Sequence, residues 1–396
     1  MRVKISLFLF FFLLGLSGRF AGATGFSAND FAFRLFAKVW GGKEENILIS
    51  PYSVALSLAM TANGARGETQ QAMLRTLGFH GASFEALNAE WKRLVEILRE
   101  LIKTDPGVEL EIASALLGRI GISFKEKFLL TLRDCYGASV ESLDFGDPQA
   151  VTKINRWVEE RTAGKIEKIL ERLDPDAILV LLNAVFFRGF WSVPFEEENT
   201  RPVPFHFPDG SVRDHPTMFQ SGWYRYLARR DFQAVSLPYG ETGTFRMYLF
   251  LPRTGVSLSD FLATLTPQNW MWWRRGFERR KGVIGVPRFR LRYGTVDLKA
   301  VLASMQMAIA FSPHADFGNL TEEKAFIENV FHQSVLTVNE KGSEAAAATA
   351  VVIAKGMGEE PEETFEMIID RPFFLVISEE KSGLILFMGA VFQPEE

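Results

Sequence analysis

The chain has 396 residues, 47% of them hydrophobic, with 36 Phe and eight Trp, which is enough apolar material for one heavily packed body. A formal net charge of -4 gives no overall pull toward nucleic acid or an anionic surface. The single cysteine, Cys135, excludes an internal disulfide, so stability has to come from packing.

Arg2 and Lys4 precede an apolar run from Ile5 to Leu16, and Ala21, Gly22 and Ala23 supply small residues for cleavage. Residues 1–23 therefore read as a secretory signal peptide, whose apolar run is too short to span a bilayer of about 30 Å. Residues 24–396 read as a single domain, because no linker divides them. Phe26 to Trp40 has helical apolar spacing behind Ser27 and Asn29, either of which can cap. Pro51 opens a second helix that runs to the break at Gly64. A third covers Glu68 to Leu77, and a long amphipathic helix from Phe84 to Lys103 stops at Asp105, Pro106 and Gly107. A strand follows from Val108 to Leu117, then helices over Phe124 to Cys135 and Gln149 to Leu170. Cys135, at the end of the first of these, reads as a half-buried, inert thiol.

The pattern then changes. Asp176 to Phe187 is, after its first residue, almost continuously apolar, as expected of a strand covered on both faces. From Val203 to Leu251, turn signals separate short strand-like runs. A helix near Leu258 to Leu265, a strand over Val283 to Arg292 and a helix over Val296 to Met305 precede two closing strands, Phe373 to Ile377 and Leu384 to Phe392. Helices first and strands later, without βαβ repetition, predict an α+β fold.

Between these parts lies Val335 to Phe365. It begins as an alternating strand and continues through Glu340, Lys341, Gly342, Ser343 and Glu344 into ten residues, Ala345 to Ala354, without charge, Gly or Pro. Lys355 to Glu363 is polar, acidic and punctuated by Gly and Pro, which reads as an exposed loop. Alanine favours helix, so Glu344 to Ala350 reads equally as a helical turn or a linker. As a strand, one face would carry Ser343, Ala345, Ala347, Thr349, Val351 and Ile353, small and uncharged throughout, with Glu344, Ala346, Ala348 and Ala350 on the other. Such a segment could slide between existing strands without burying a charge on its first face.

Conventional catalytic signatures are absent: no G-x-S-x-G elbow, no H-E-x-x-H and no glycine-rich phosphate loop. Of the five histidines, His206 and His215 flank a hairpin and could share a metal, although no third ligand is in sight. His332 reads as a structural histidine hydrogen-bonded within a sheet. Arg274, Arg275, Arg279, Arg280 and Lys281, beside three tryptophans, are the one candidate polyanion site; the alternative is a solvated helix end whose aromatics pack inward. Asn319, Leu320 and Thr321 form a glycosylation sequon.

The ordered segments Asn46 to Ser53 (NILISPYS), Ile154 to Val158 (INRWV) with Thr162 to Ile166 (TAGKI), Asn183 to Trp191 (NAVFFRGFW), Val286 to Phe289 (VPRF), Ala315 to Phe317 with Gly318, and Arg371 to Phe374 (RPFF) resemble the landmarks of serpins, over nearly the whole chain. The resemblance implies a serpin fold, with helices around a large central sheet plus smaller sheets and a reactive-centre loop at about 340–364. It implies an inhibitor of serine, or cysteine, proteases and not an enzyme, acting as a monomer without cofactor, whose partner is a protease held in a covalent acyl complex. Non-inhibitory serpins, acting as carriers, chaperones or storage proteins, are the alternative. The family pattern places a polar shutter at Ser50, Ser53, Asn183 and His332. It places a breach at Trp191, Arg288 and Glu340, with Arg288 forking onto the Glu340 carboxylate, and a loop hinge at Glu340, Gly342, Ser343, Glu344, Ala345, Ala346, Ala347, Ala348 and Thr349. The scissile bond falls after Lys355, Gly356 or Met357, which would suit trypsin-like, elastase-like or chymotrypsin-like enzymes respectively.

Overall fold

The computed structural model of the protein describes residues 28–79, 83–343 and 364–395. Its helices are α1 (Ala28–Trp40), α2 (Pro51–Ala62), α3 (Gly67–Leu77), α4 (Phe84–Thr104), α5 (Glu126–Thr131), α6 (Ala150–Arg161), α7 (Leu258–Leu262), α8 (Pro267–Arg275) and α9 (Lys299–Leu302). Its strands are β1 (Ile47–Ile49), β2 (Val108–Arg119), β3 (Ser139–Leu143), β4 (Leu179–Phe190), β5 (Thr200–His206), β6 (Val212–Ala228), β7 (Phe232–Tyr239) and β8 (Phe245–Pro252), then β9 (Glu278–Pro287), β10 (Phe289–Asp297), β11 (Ile327–Asn339), β12 (Gly342–Ser343), β13 (Phe365–Ile368), β14 (Phe373–Glu379) and β15 (Ile385–Val391).

These strands form two sheets. One has nine strands in the order β1-β15-β14-β8-β7-β6-β9-β13, with β5 beside β6; the other has six, β10-β11-β12-β4-β2-β3. The six-stranded sheet is covered on both faces. In β4, Val180, Leu182 and Ala184 face α6 residues Ile154 and Val158, whereas Leu179, Leu181, Val185 and Phe187 face the large core shared with α2 and the other sheet. This is why the run beyond Asp176 is apolar at successive positions. The fold is α+β, as expected.

Several boundaries differ from the expectation for local reasons. The helix expected to reach Leu170 ends at Arg161. Thr162 Oγ1 donates to the Val158 carbonyl and accepts the Ile166 N–H, and Ala163 and Gly164 turn left-handed at φ 49° and 75°. The chain thereby returns Ile166, Ile169 and Leu170 to the sheet. The single strand expected over Val283 to Arg292 is two strands in different sheets, with Arg288 at the crossing. The helix expected from Val296 starts only at Lys299, because Val296 and Asp297 pair with β11 and the Asp297 carboxylate accepts the N–H groups of Lys299 and Val330. Asn29 is no cap: its amide donates to the Gly383 carbonyl and accepts the Ile385 N–H, tying α1 to the last hairpin. β3, short and polar, was not anticipated.

One buried charge joins the two sheets. The Asp105 carboxylate, at the end of α4, accepts N–H groups from Gly107, Glu241 and Thr242 and the hydroxyl of Thr242. Gly240, at φ 68°, passes so close that a Cβ there would stand 2.3 Å from the carboxylate. Burial by itself would raise the Asp105 pKa, but the bonds from Thr242, Glu241 and Gly107 outweigh it and hold the carboxyl below its ordinary value. Asp105→Ala should therefore lower stability by about 3 kcal/mol at neutral pH, read from urea midpoints. Because the folded-state pKa is depressed, the deficit relative to the parent should shrink as pH falls below about 4.

Candidate functional site

β4 and β11 pair in parallel from Leu179 opposite Ile327 to Phe186 opposite Val335. Beyond Val335 they part, and β12 fills the gap. Gly342 and Ser343 lie antiparallel to both neighbours, opposite Asn339 and Val338 on one side and Phe190 and Gly189 on the other. Gly342 is required here: its φ is +148°, and a Cβ would stand 2.0 Å from the Gly189 carbonyl oxygen. Ser343 is fully buried, and its hydroxyl lies 2.7 Å from that of Tyr239.

The turn feeding β12 is clamped. Glu340 is 4% exposed. Arg288 Nε and Nη2 approach its Oε1 at 2.6 and 2.5 Å, and the Thr200 hydroxyl donates to the same oxygen at 2.5 Å. The contact is thus not the two-oxygen fork expected, because Thr200 and both guanidinium nitrogens converge on one oxygen. Burial pushes the Glu340 pKa up, but the bonds from Arg288 and Thr200 prevail and hold it below the usual carboxylate value. The Trp191 indole N–H donates to the Asn339 carbonyl at 2.9 Å, and its ring stacks on Tyr239 at 4.5 Å between centroids.

Below the gap, a polar cluster occupies positions where strand alternation calls for apolar residues. Asn183 of β4 and His332 of β11 are directly opposite. Asn183 Oδ1 accepts from His332 Nδ1 at 2.6 Å and from the Ser53 hydroxyl at 2.7 Å, while Nδ2 donates to Ser114 and Ser57 at 2.9 and 3.2 Å. Every hydrogen-bonding site of the amide is used. His332 Nε2 accepts the Ser50 N–H at 3.1 Å, which makes Nδ1 the protonated nitrogen. Ser50 acts through its backbone. Ser57, Ser114, Thr200 and Tyr239 were not anticipated; Ser53, Ser57 and Thr61, four residues apart on the wholly buried α2, were the legible sign of a polar stripe.

The hinge residues Glu344, Ala345, Ala346, Ala347, Ala348 and Thr349 and the scissile candidates Lys355, Gly356 and Met357 lie outside the described residues, as do residues 1–23. Several members of the basic cluster are already engaged. Arg274 is half-buried against the Glu380 carbonyl, Arg280 pairs with Glu278, Arg279 lies over Trp223, and Trp270 and Trp273 are in the core while Trp272 is exposed. His215 is spent on the Arg288 carbonyl and sits opposite Val203, not His206. Cys135 is half-buried, and burial raises its pKa. In the sequon, Asn319 Nδ2 donates to the Ala65 carbonyl and Thr321 is fully buried.

A family model described as Serpin (serine protease inhibitor) matches residues 26–394. A serpin-like protein of Thermococcus kodakarensis is 34% identical over 93% of this chain and 85% of its own length. Among solved structures, the thermophilic serpin Tengpin in its native state superposes with a TM-score of 0.84 at 29% identity, covering 92% of this chain and 93% of its own. Thyroxine-binding globulin in complex with thyroxine superposes at 0.82 and 29% identity, over 93% and 98%.

Burial lowers the His332 pKa to about 4, against a smaller opposing effect of the bond to Asn183. The fold thus favours the neutral ring, whereas the unfolded imidazole titrates near 6.5. The contribution is complete above about pH 6.5 and is lost as pH falls toward 4, by roughly 3 kcal/mol at most. Urea midpoints between pH 7.5 and 4.5 should show this slope, and His332→Gln should flatten it while lowering stability at pH 7.5.

Proposed function

The chain belongs to the serpin family, and from that premise we propose that it inhibits serine proteases as a suicide substrate. The observation that carries the reading is β12: Gly342 and Ser343, near the start of the loop, already pair between β4 and β11, antiparallel to both. The protease attacks a bond at Lys355, Gly356 or Met357. Its serine oxygen forms an ester with the carbonyl carbon as the peptide nitrogen takes a proton and leaves. The freed segment then continues β12 downward as a new central strand, carrying the esterified protease with it. Insertion of a serpin loop into its own sheet is a form of strand addition, and it releases stored strain. About ten new ladder bonds at roughly 0.5–1.5 kcal/mol each amount to something near 10 kcal/mol, comparable to the whole stability of a domain.

Glu340, Arg288 and Trp191 hold the point where the loop leaves the sheet. Asn183, His332, Ser53 and Ser50 hold the seam that must part. Residues 1–23 act as a signal peptide, and the protein works outside the cell as a monomer. A carrier role is the second reading, favoured by the likeness to the thyroxine-bound globulin.

A panel of trypsin-, elastase- and chymotrypsin-like enzymes should give an SDS-stable complex with at least one member, and mass spectrometry of the released peptide identifies the bond. Cleavage should raise the melting temperature of the parent. Ser343→Arg places a charge where Ser343 is fully buried, so trapping should give way to turnover of the loop. A variant that traps as well as the parent refutes the mechanism, and a parent that is cleaved without forming a complex supports the carrier.

A further inference from the structure

Away from the hinge, a cavity of about 400 Å³ lies between α2, α4, the first half of β2 and the turn Tyr136 to Ala138, a size typical of small-molecule sites. Met60, Leu98, Ile102 and Ile112 are among its apolar walls, while Arg99, Lys103 and Arg161 stand around it against the one carboxylate of Glu111. None of the three cations forms an ion pair among the described residues. Burial and the neighbouring Glu109 raise the Glu111 pKa, partly offset by Arg161.

Two features of β2 shape the site. β3 pairs with it only from Ala115 onward, which leaves the outer edge from Val108 to Ser114 without a partner strand among the described residues. Ser114, which also lines the cavity, bonds through its hydroxyl to Asn183 and Ser57. The inner end of the cavity is therefore part of the polar cluster under the β4–β11 seam.

A partly open cleft with a wall of Met60, Leu98, Ile102 and Ile112 beside three cations suits an amphiphile with an anionic head. We propose that this cavity binds a medium-chain carboxylate, its alkyl tail between α2, α4 and β2 and its head group among Arg99, Lys103 and Arg161. Bound there, the tail fills space between β2 and the two helices, and the ligand stabilises the folded form by mass action. The site is independent of the protease reading, because binding is measured without a protease.

The test titrates the intact protein with dodecanoate below its micelle concentration, by calorimetry and by thermal melts. Dodecyltrimethylammonium, with the same tail and the opposite charge, is the control. Saturable binding of one dodecanoate with a rising melting temperature, and no saturable binding of the cationic amphiphile, is the expected result. Arg99→Glu combined with Lys103→Glu should weaken binding at least tenfold and leave the ligand-free melting temperature unchanged, since both side chains are exposed. Ile112→Trp should abolish binding by filling the chamber; if it fails to fold, the charge variant decides. Absence of saturable binding, equal affinity for both amphiphiles, or an unchanged affinity in the charge variant overturns the proposal.

Discussion

Two strands far apart in sequence, β4 and β11, are paired in parallel over their lower halves and separated above by a two-residue strand antiparallel to both. Parallel pairing is slightly the weaker kind per residue. Extending β12 downward would exchange one parallel interface for two antiparallel ones. The number of ladder bonds rises and so does the quality of each, and the segment that would follow is uncharged on one face. On the proposed inhibitory reading, the uncharged segment that follows β12 is the strand this seam would accept.

What opposes the exchange is local and polar. β11 is tied to β1 by the Ser334 hydroxyl on the Leu48 carbonyl and to the start of α2 by the Ser50 N–H on His332. β4 is tied to α2 and β2 through Asn183, Ser53, Ser57 and Ser114. Between these two groups the side-chain bond across the seam is His332 to Asn183. Parting the strands orphans two buried groups, each costing about 1–3 kcal/mol, whereas apolar neighbours that separate can be covered again by an incoming alanine-rich strand. A barrier built from a few satisfied polar groups can be large for the closed sheet and vanish once something else satisfies them.

Much of this was legible in the chain. Pro51 and the long amphipathic spacing from Phe84 placed α2 and α4, and the uninterrupted apolar run after Asp176 placed β4 as a strand covered on both faces. The pairing of Arg288 with Glu340 and the gathering of Ser53, Asn183 and His332 followed from the resemblance, since nothing in spacing brings together residues 52, 130 and 149 positions apart. What stayed hidden depended on tertiary context. Periodicity carried α6 too far because Ile166, Ile169 and Leu170 are buried by a returning chain, not by a continued helix. VPRF reads as uninterrupted strand, yet Arg288 marks the passage between sheets. Tyr239 and Thr200 lie in ordinary strand sequence and acquire their roles only because β7 ends and β5 begins beside the hinge.

That last placement links the hinge to the rest of the molecule. Tyr239 closes β7, bonds to Ser343 and carries the Trp191 ring. The next residue, Gly240, donates its N–H to the Phe190 carbonyl at the end of β4 and accepts from the Ser192 hydroxyl. The Asp105 carboxylate then grips Glu241 and Thr242. The end of the nine-stranded sheet is thus fixed over the top of the six-stranded one by a buried charge that belongs to neither. Ser343 leaves the slot only by giving up the Tyr239 hydroxyl, a neutral bond worth about 1 kcal/mol. Glu340 leaves only by surrendering three charge-assisted contacts at a nearly buried oxygen, which are worth more. Ser343 is thus held less firmly than the base at Glu340, and on the proposed reading an inserting loop would pivot on Gly342, where φ is +148° and a Cβ would strike the Gly189 carbonyl.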